Sequence, residues 1–232
     1  MRRSILLLLL VVLSLSVATC LAQKQEYVAR YSAFGAFSYL GTPSLNSVQR
    51  GFDGDFGVNL RSWLTLGGDF SYGSGSTTLL PNQLNAATQA KLAPYVPLFV
   101  AKGIPLAVPY NSSTYTYEAG PQFNYRGLKH FTLFARPALG ALHTTITAKP
   151  NNPYIANIVT GLVGSSMSSS DTVLFYGFGG GITWEATPHF GLRVASDFVH
   201  YDMFSGLLNG GRNSVRVTVG TKYSFGRNIL VK

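Results

Sequence analysis

The stretch Thr114-Tyr115-Thr116-Tyr117-Glu118-Ala119-Gly120-Pro121-Gln122-Phe123-Asn124-Tyr125-Arg126 alternates from end to end. Tyr115, Tyr117, Ala119, Pro121, Phe123 and Tyr125 fall on one parity; Thr116, Glu118, Gly120, Gln122, Asn124 and Arg126 fall on the other. Successive side chains of a strand point to opposite faces, so the stretch predicts one long strand with an apolar and a polar face. Gly127-Leu128-Lys129-His130 follows as a tight turn, and the pattern then resumes. Phe131, Leu133, Ala135, Pro137, Leu139 and Ala141 share one face, with Thr132, Phe134, Arg136, Ala138 and Gly140 on the other. Two such segments joined so closely predict a hairpin of long strands.

The same reading carried outward gives eight strands, at about 26–39, 52–61, 63–73, 114–126, 130–143, 172–185, 189–203 and 213–225. Short turns fall near Ser62, at 127–129 and at 186–188; longer loops fall at 40–51, 74–113, 144–171 and 204–212. Short and long connections alternate strictly. That layout predicts an all-β fold: an eight-stranded antiparallel up-and-down transmembrane β-barrel with three short periplasmic turns and four longer extracellular loops. At roughly 3.3 Å per residue and a tilt of about 40°, about eleven residues cover roughly 28 Å, the height of an apolar membrane band.

Composition agrees. Of 232 residues, 12% are charged and 13% aromatic, and the mean hydropathy is +0.18. Disorder requires the opposite balance, and a soluble domain's surface carries about twice that charge. The single cysteine, Cys20, excludes a disulfide framework and a Cys-rich metal site. The most apolar internal segment, 92–109, contains Pro94, Pro97, Pro105, Pro109 and Lys102, which disqualify it as a spanning helix. A closed barrel is the remaining way to cross a bilayer.

Residues 1–22 read as a secretory signal, which leaves 23–232 as the barrel domain. Arg2 and Arg3 precede an apolar core over 5–13, and small residues lead to a cut after Ala22, with Ala18 as the second site. Val17-Ala18-Thr19-Cys20 loosely resembles a lipoprotein box, so lipidation of Cys20 is the competing reading.

The aromatic residues sort to strand ends. Tyr125, Phe131, Trp184, Phe190, Tyr223 and Phe225 lie near the short turns or the C-terminus. Phe37, Tyr39, Phe52, Phe70, Tyr72, Tyr115 and Tyr117 lie near the long loops, with small or aliphatic residues between the two groups. Two aromatic girdles around an aliphatic belt suit two membrane interfaces. The opposite parity holds Asp53, Asp55, Asp69, Glu118, Glu185 and Asp197 together with Arg30, Arg136, Arg193, Arg216 and Lys222. These residues are the candidate site, a network lining the lumen. Charges in so narrow a space must be paired. A plug that pins strand register is favoured over a narrow ion path. A soluble lipocalin-like barrel would turn the two faces around, but the charged parity is too sparse for a solvated surface and the rings would overfill the inside.

Thr218-Val219-Gly220-Thr221-Lys222-Tyr223-Ser224-Phe225 resembles the C-terminal assembly signal of bacterial outer-membrane barrels: polar, glycine and two aromatics, at Thr218, Gly220, Tyr223 and Phe225. A tail over 226–232 departs from it, since the family usually ends at the aromatic. The layout resembles the OmpA-type outer-membrane β-barrel family over nearly the whole mature chain. The resemblance implies a small integral barrel that is structural, surface-interacting or weakly permeable, with the barrel assembly machinery and outer-membrane lipid as partners. A narrow porin-like channel is the alternative.

An enzyme is not expected. Phe198-Val199-His200-Tyr201-Asp202 faintly resembles the histidine stretch of PagL lipid A deacylases, but Asp202 stands where the serine nucleophile belongs and no Glu follows His200 anywhere. His130, His143 and His189 are too scattered for a metal site, and no cofactor is expected. In the loops, 81–92 reads as a short helix, the apolar segment 93–108 as a cap on the mouth or a membrane-surface segment, and 164–170 as a flexible serine-rich run. Arg50, Lys91, Lys102, Lys149 and Arg212 make the loops basic, which suits lipopolysaccharide phosphates as well as it suits plain solvation. Nucleic acid is excluded by export and by the absence of a dense basic cluster. The oligomeric state is left open.

Overall fold

The computed structural model describes residues 27–230, so the signal segment, Cys20 and both cleavage positions lie outside the described residues. Eight strands follow in order: β1 (Ala29–Thr42), β2 (Ser47–Arg61), β3 (Leu64–Leu79), β4 (Val108–Tyr125), β5 (Phe131–Ala148), β6 (Ser168–Glu185), β7 (Phe190–Tyr201) and β8 (Arg212–Asn228). Each pairs antiparallel with its neighbour, and β8 closes onto β1 through registers such as Phe37↔Val219 and Phe34↔Lys222. Closure removes the sheet edges, so the ladder satisfies the backbone even where no water reaches it.

The faces divide as the alternation requires. Phe37 is 84% exposed and Leu174 80%, whereas Asp197 is 0% and Arg216 3% exposed. The paired charges point in and most rings point out, the reverse of a lipocalin; Phe34 and Phe134 are inward exceptions, each 6% exposed. Outward rings touch near both ends of the barrel and also level with its middle, where Phe178 meets Phe198 at 5.8 Å and Phe70 meets Tyr117 at 5.3 Å, so the belt between the expected girdles is not purely aliphatic. Near the turn end, Trp63 stacks on Phe123 and Phe190 packs on Tyr223, at centroid distances of 6.3 and 4.9 Å. On the loop side, Tyr72 meets Phe52 at 5.6 Å and Tyr115 at 4.9 Å. A slip of one residue in any strand would exchange its faces. At the middle of a bilayer each charge so exposed costs about 2–4 kcal/mol for Arg or Lys.

The strands run further toward the loops than the apolar alternation suggests. The connection expected at 40–51 contracts to a short 3₁₀ turn, Pro43–Leu45, closed by Asn46 at φ 50°. Beyond the loop-side rings, β3 to β6 continue with Ser, Thr and Asn outward. Ser76 donates to Asn111 at 2.9 Å, and Thr145 and Ser170 share a hydrogen bond of 2.8 Å. Hydroxyls of this kind suit strands that have left the apolar belt. The serine-rich run expected to be flexible enters β6 at Ser168. In β4 and β5, Pro121 and Pro137 lack backbone N–H groups, and their ladder breaks between Glu118↔Gly140 and Phe123↔Ala135.

The two largest connections carry helices. In the first, α1 (Ala86–Leu92) is capped by the Asn85 side chain, which accepts from Thr88 N at 2.8 Å, and α2 is Val96–Ala101. In the second, α3 (Pro153–Val163) begins with Asn152 as cap and proline in its first turn, and ends at Gly164, whose φ of 88° suits glycine. Ile155 and Val159 on α3 enclose Phe99 of α2, which is 1% exposed. A second cluster ties residues 202–211 to the barrel wall through Met203, Phe204 and Leu208, packed with Leu84 and Leu142. Leu84 and Leu208 also form a backbone bridge.

Candidate functional site

A knot of charge occupies the middle of the lumen, built from inward positions of β2, β3, β4, β5, β7 and β8. Arg216 Nη1 donates to Asp69 Oδ1 at 2.8 Å, and its Nη2 donates to Glu118 Oε2 and Asp197 Oδ2, both at 2.9 Å. Arg136 approaches Asp197 from the other side, with Nε to Oδ1 at 3.1 Å and Nη2 to Oδ2 at 3.0 Å, and its Nη2 also reaches Asp69 at 3.3 Å. Both guanidiniums thus share one fully buried carboxylate. Asp53 is the outlying member: its nearest cation, Arg216 Nη1, lies 3.4 Å away, and neither carboxylate oxygen has a hydrogen-bond donor. Gly179 of β6 faces the knot, and a Cβ there would collide with Asp197 Oδ1. Only glycine leaves room for the acid.

Two further pairs lie toward the turns. Arg193 Nη1 donates to Asp55 Oδ2 at 2.6 Å while its guanidinium lies over the Phe34 and Phe134 rings at 5.0 and 4.9 Å. Lys222 Nζ donates to Glu185 Oε1 at 2.8 Å. The structure therefore brings together Asp53, Asp69, Glu118, Arg136, Asp197 and Arg216, and pairs Asp55 with Arg193 and Glu185 with Lys222. Arg30 joins none of these ion pairs among the described residues; it lies at the turn end of β1, beside the bulge between Ala29 and Tyr31. In the last strand, Thr218 is buried on the lumen side and Tyr223 is exposed on the outer face. A small polar void of about 30 Å³ beside Asp55 and Arg136 and a larger cavity of about 340 Å³ at the turn end flank the pairs. Arg126 lines the larger one and donates to Asn59 Oδ1 at 3.1 Å; burial pushes its guanidinium down to about 10, so it stays charged at neutral pH.

The loop side of the lumen is different in kind. Above the knot lies a shelf of hydroxyls and one amide. Thr42 bonds Ser214 at 2.7 Å, Thr114 bonds Thr144 at 2.9 Å, and Gln49 Nε2 donates to Ser112 Oγ at 2.8 Å. Above the shelf is an apolar cavity of about 120 Å³ between the two loop clusters. Arg212, expected among the exposed loop cations, is instead 3% exposed. Its Nη1 donates to Ser44 Oγ at 3.1 Å and its Nη2 to Asn209 O at 3.0 Å, so it fastens the mouth rather than facing solvent. The cavity and α3 escape the alternation rule because they depend on helical spacing. Ile155, Ile158, Val159 and Leu162, preceded by Asn152-Pro153, are the signal that finds α3.

The unequal grip on the acids predicts unequal losses. Asp197→Asn leaves two guanidiniums short of their shared partner and is expected to cost about 3–5 kcal/mol. Asp53→Asn removes a carboxylate that accepts no hydrogen bond and is expected to cost under about 1 kcal/mol. Urea unfolding followed by tryptophan fluorescence measures both, and equal losses would contradict the arrangement.

No protein-family model and no curated protein matches the chain. Among solved structures it is similar to Ail, the attachment invasion locus protein of Yersinia pestis, at 17% identity over 84% of this chain and 96% of that one, with a TM-score of 0.48. It is also similar to Neisserial surface protein A, at 11% identity over 84% and 96% of the two chains and a TM-score of 0.48. A major outer membrane protein from Thermus thermophilus is similar at 10% identity over 84% and 99%, with a TM-score of 0.49. The chain's own strand pairing defines its fold as a closed eight-stranded antiparallel barrel.

Proposed function

We propose that the chain is an integral, non-catalytic outer-membrane barrel, exported by residues 1–22, with 23–232 as its barrel domain. Its lumen is closed by the charge knot, and its outer face and loops carry its role at the cell surface. The observation that carries this reading is the inversion of faces: rings and aliphatic side chains outside, ion pairs inside. Tyr223 and Phe225, with Thr218 and Gly220, serve as the assembly signal for the barrel assembly machinery. His200 supports a non-catalytic reading, since its ring packs against Tyr176 at 5.3 Å and its Nδ1 shares a 2.8 Å hydrogen bond with Asn213 Oδ1. A narrow solute channel is the second reading. Polar cavities already lie on the turn side of the knot, so a path requires the knot and the shelf above it to part.

Trp63 and Trp184, the only two tryptophans in the chain, are 53% and 45% exposed on the outer face near the turn end. In vesicles, lipids brominated near the headgroup should quench both more strongly than lipids brominated at the chain ends. Quenching by aqueous acrylamide with no effect of brominated lipid would refute the membrane reading.

Arg50, Lys91, Lys102 and Lys149 are exposed, which supports a contact with lipopolysaccharide phosphates. Replacing all four with Gln should weaken lipopolysaccharide binding and reduce its salt dependence. Unchanged binding would assign these residues to solvation alone.

A further inference from the structure

The apolar cavity at the loop end has a polar base. Its upper walls are Leu79, Leu84, Phe99, Ile155, Met203 and Phe204, contributed by the barrel rim and three connections. Its base includes Gln49, Ser112, Thr114 and Thr144. Thr114 and Thr144 satisfy one another, and Ser112 accepts from Gln49 Nε2. Gln49 Oε1 is the exception: it is buried and has no hydrogen-bond partner. Buried polar atoms are paired in nearly all native interiors, so an unpaired acceptor on a residue that lines the cavity marks a place where a donor fits. Around it the cavity is hydrocarbon, and such spaces stay dry and take up small apolar molecules; one of about 150 Å³ holds benzene.

We infer that this cavity binds a small neutral amphiphile, a single ring or short alkyl chain bearing one hydroxyl, with the hydroxyl donating to Gln49 Oε1 and the hydrocarbon between the loop clusters. Size sets the upper limit, since about 120 Å³ accommodates a molecule of benzene's class and not a long acyl chain. Charge selects the head group. A carboxylate would meet the Gln49 oxygen acceptor to acceptor. Beneath the shelf it would also face a knot in which Asp53, Asp69, Glu118 and Asp197 outnumber Arg136 and Arg216. A hydroxyl supplies the missing donor without adding charge. The wall suits such a guest, because Met203 has a flexible, polarisable side chain that adapts to irregular ligands.

The chain has three methionines, and two of them, Met167 and Met203, line the cavity. Methyl-labelled methionine therefore reports on this cavity directly, even where the ligand also partitions into lipid. The folded protein in lipid nanodiscs is titrated with p-cresol and, separately, with toluene, which has the same ring and methyl group but no donor. Saturable shifts of both methyl resonances are expected, with p-cresol binding about tenfold more tightly than toluene, the factor one hydrogen bond supplies. Gln49→Leu should erase that preference while toluene still binds. Val159→Trp, which fills the cavity from α3, should abolish saturation for both ligands while the heat-modifiable folded band is retained. Shifts that rise linearly without saturation, equal affinities for the two ligands, or a preference that survives Gln49→Leu would each overturn the assignment.

Discussion

Arg136 and Arg216 hold Asp197 from two sides, and through it they bind opposite walls of the barrel to each other. The backbone ladder fixes each strand only against its neighbours. The knot adds restraints across the lumen, linking strands that share no ladder, such as β3 and β8 through Asp69 and Arg216. Buried ion pairs contribute little net stability because desolvation offsets most of the attraction. Breaking one is costly, because it leaves a charge uncompensated, so a register slip that parted these pairs would be penalised. Gly179 belongs to the same arrangement, since the space of its missing side chain is where Asp197 sits.

The lumen is graded along its axis. Ion pairs and polar cavities occupy the turn side, the knot lies at the middle, hydroxyls follow, and hydrocarbon fills the mouth. A knot of this kind needs surroundings that hold its partners in place, and the loops provide them from above. Arg212 fastens Ser44 to the 202–211 connection, and the Leu84–Leu208 bridge joins that connection to the segment before α1. The mouth is therefore a packed structure with its own two clusters, and the cavity between them is a consequence of how those clusters meet.

Much of this is legible in the residues. The parity of Tyr115, Tyr117 and Phe123 against Thr116, Glu118 and Asn124 is enough to give a strand with unlike faces, and eight such segments give the barrel. The inward position of Asp53, Asp69, Glu118, Arg136, Asp197 and Arg216 follows from the same count. Which acid meets which base does not, because partners across a lumen depend on strand stagger, which no local pattern encodes. Strand ends are underestimated for a physical reason: Ser74, Ser76, Asn111 and Ser113 continue the ladder with polar groups, so the apolar signal stops before the pairing does. Arg212 reads as a solvated cation because its spacing gives no hint that Ser44, far away in the chain, lies within reach. Gln49 and the cavity above it are illegible, since they arise where three connections converge.

Single-channel recording in a planar bilayer decides whether the charge knot closes the lumen. Folded, inserted wild-type protein is expected to be electrically silent, because ion pairs of Arg136 and Arg216 bridge the middle of the lumen. Steady, reproducible openings whose conductance changes when Arg136 or Glu118 is neutralised would rule out a closed lumen and make the charges the walls of a channel.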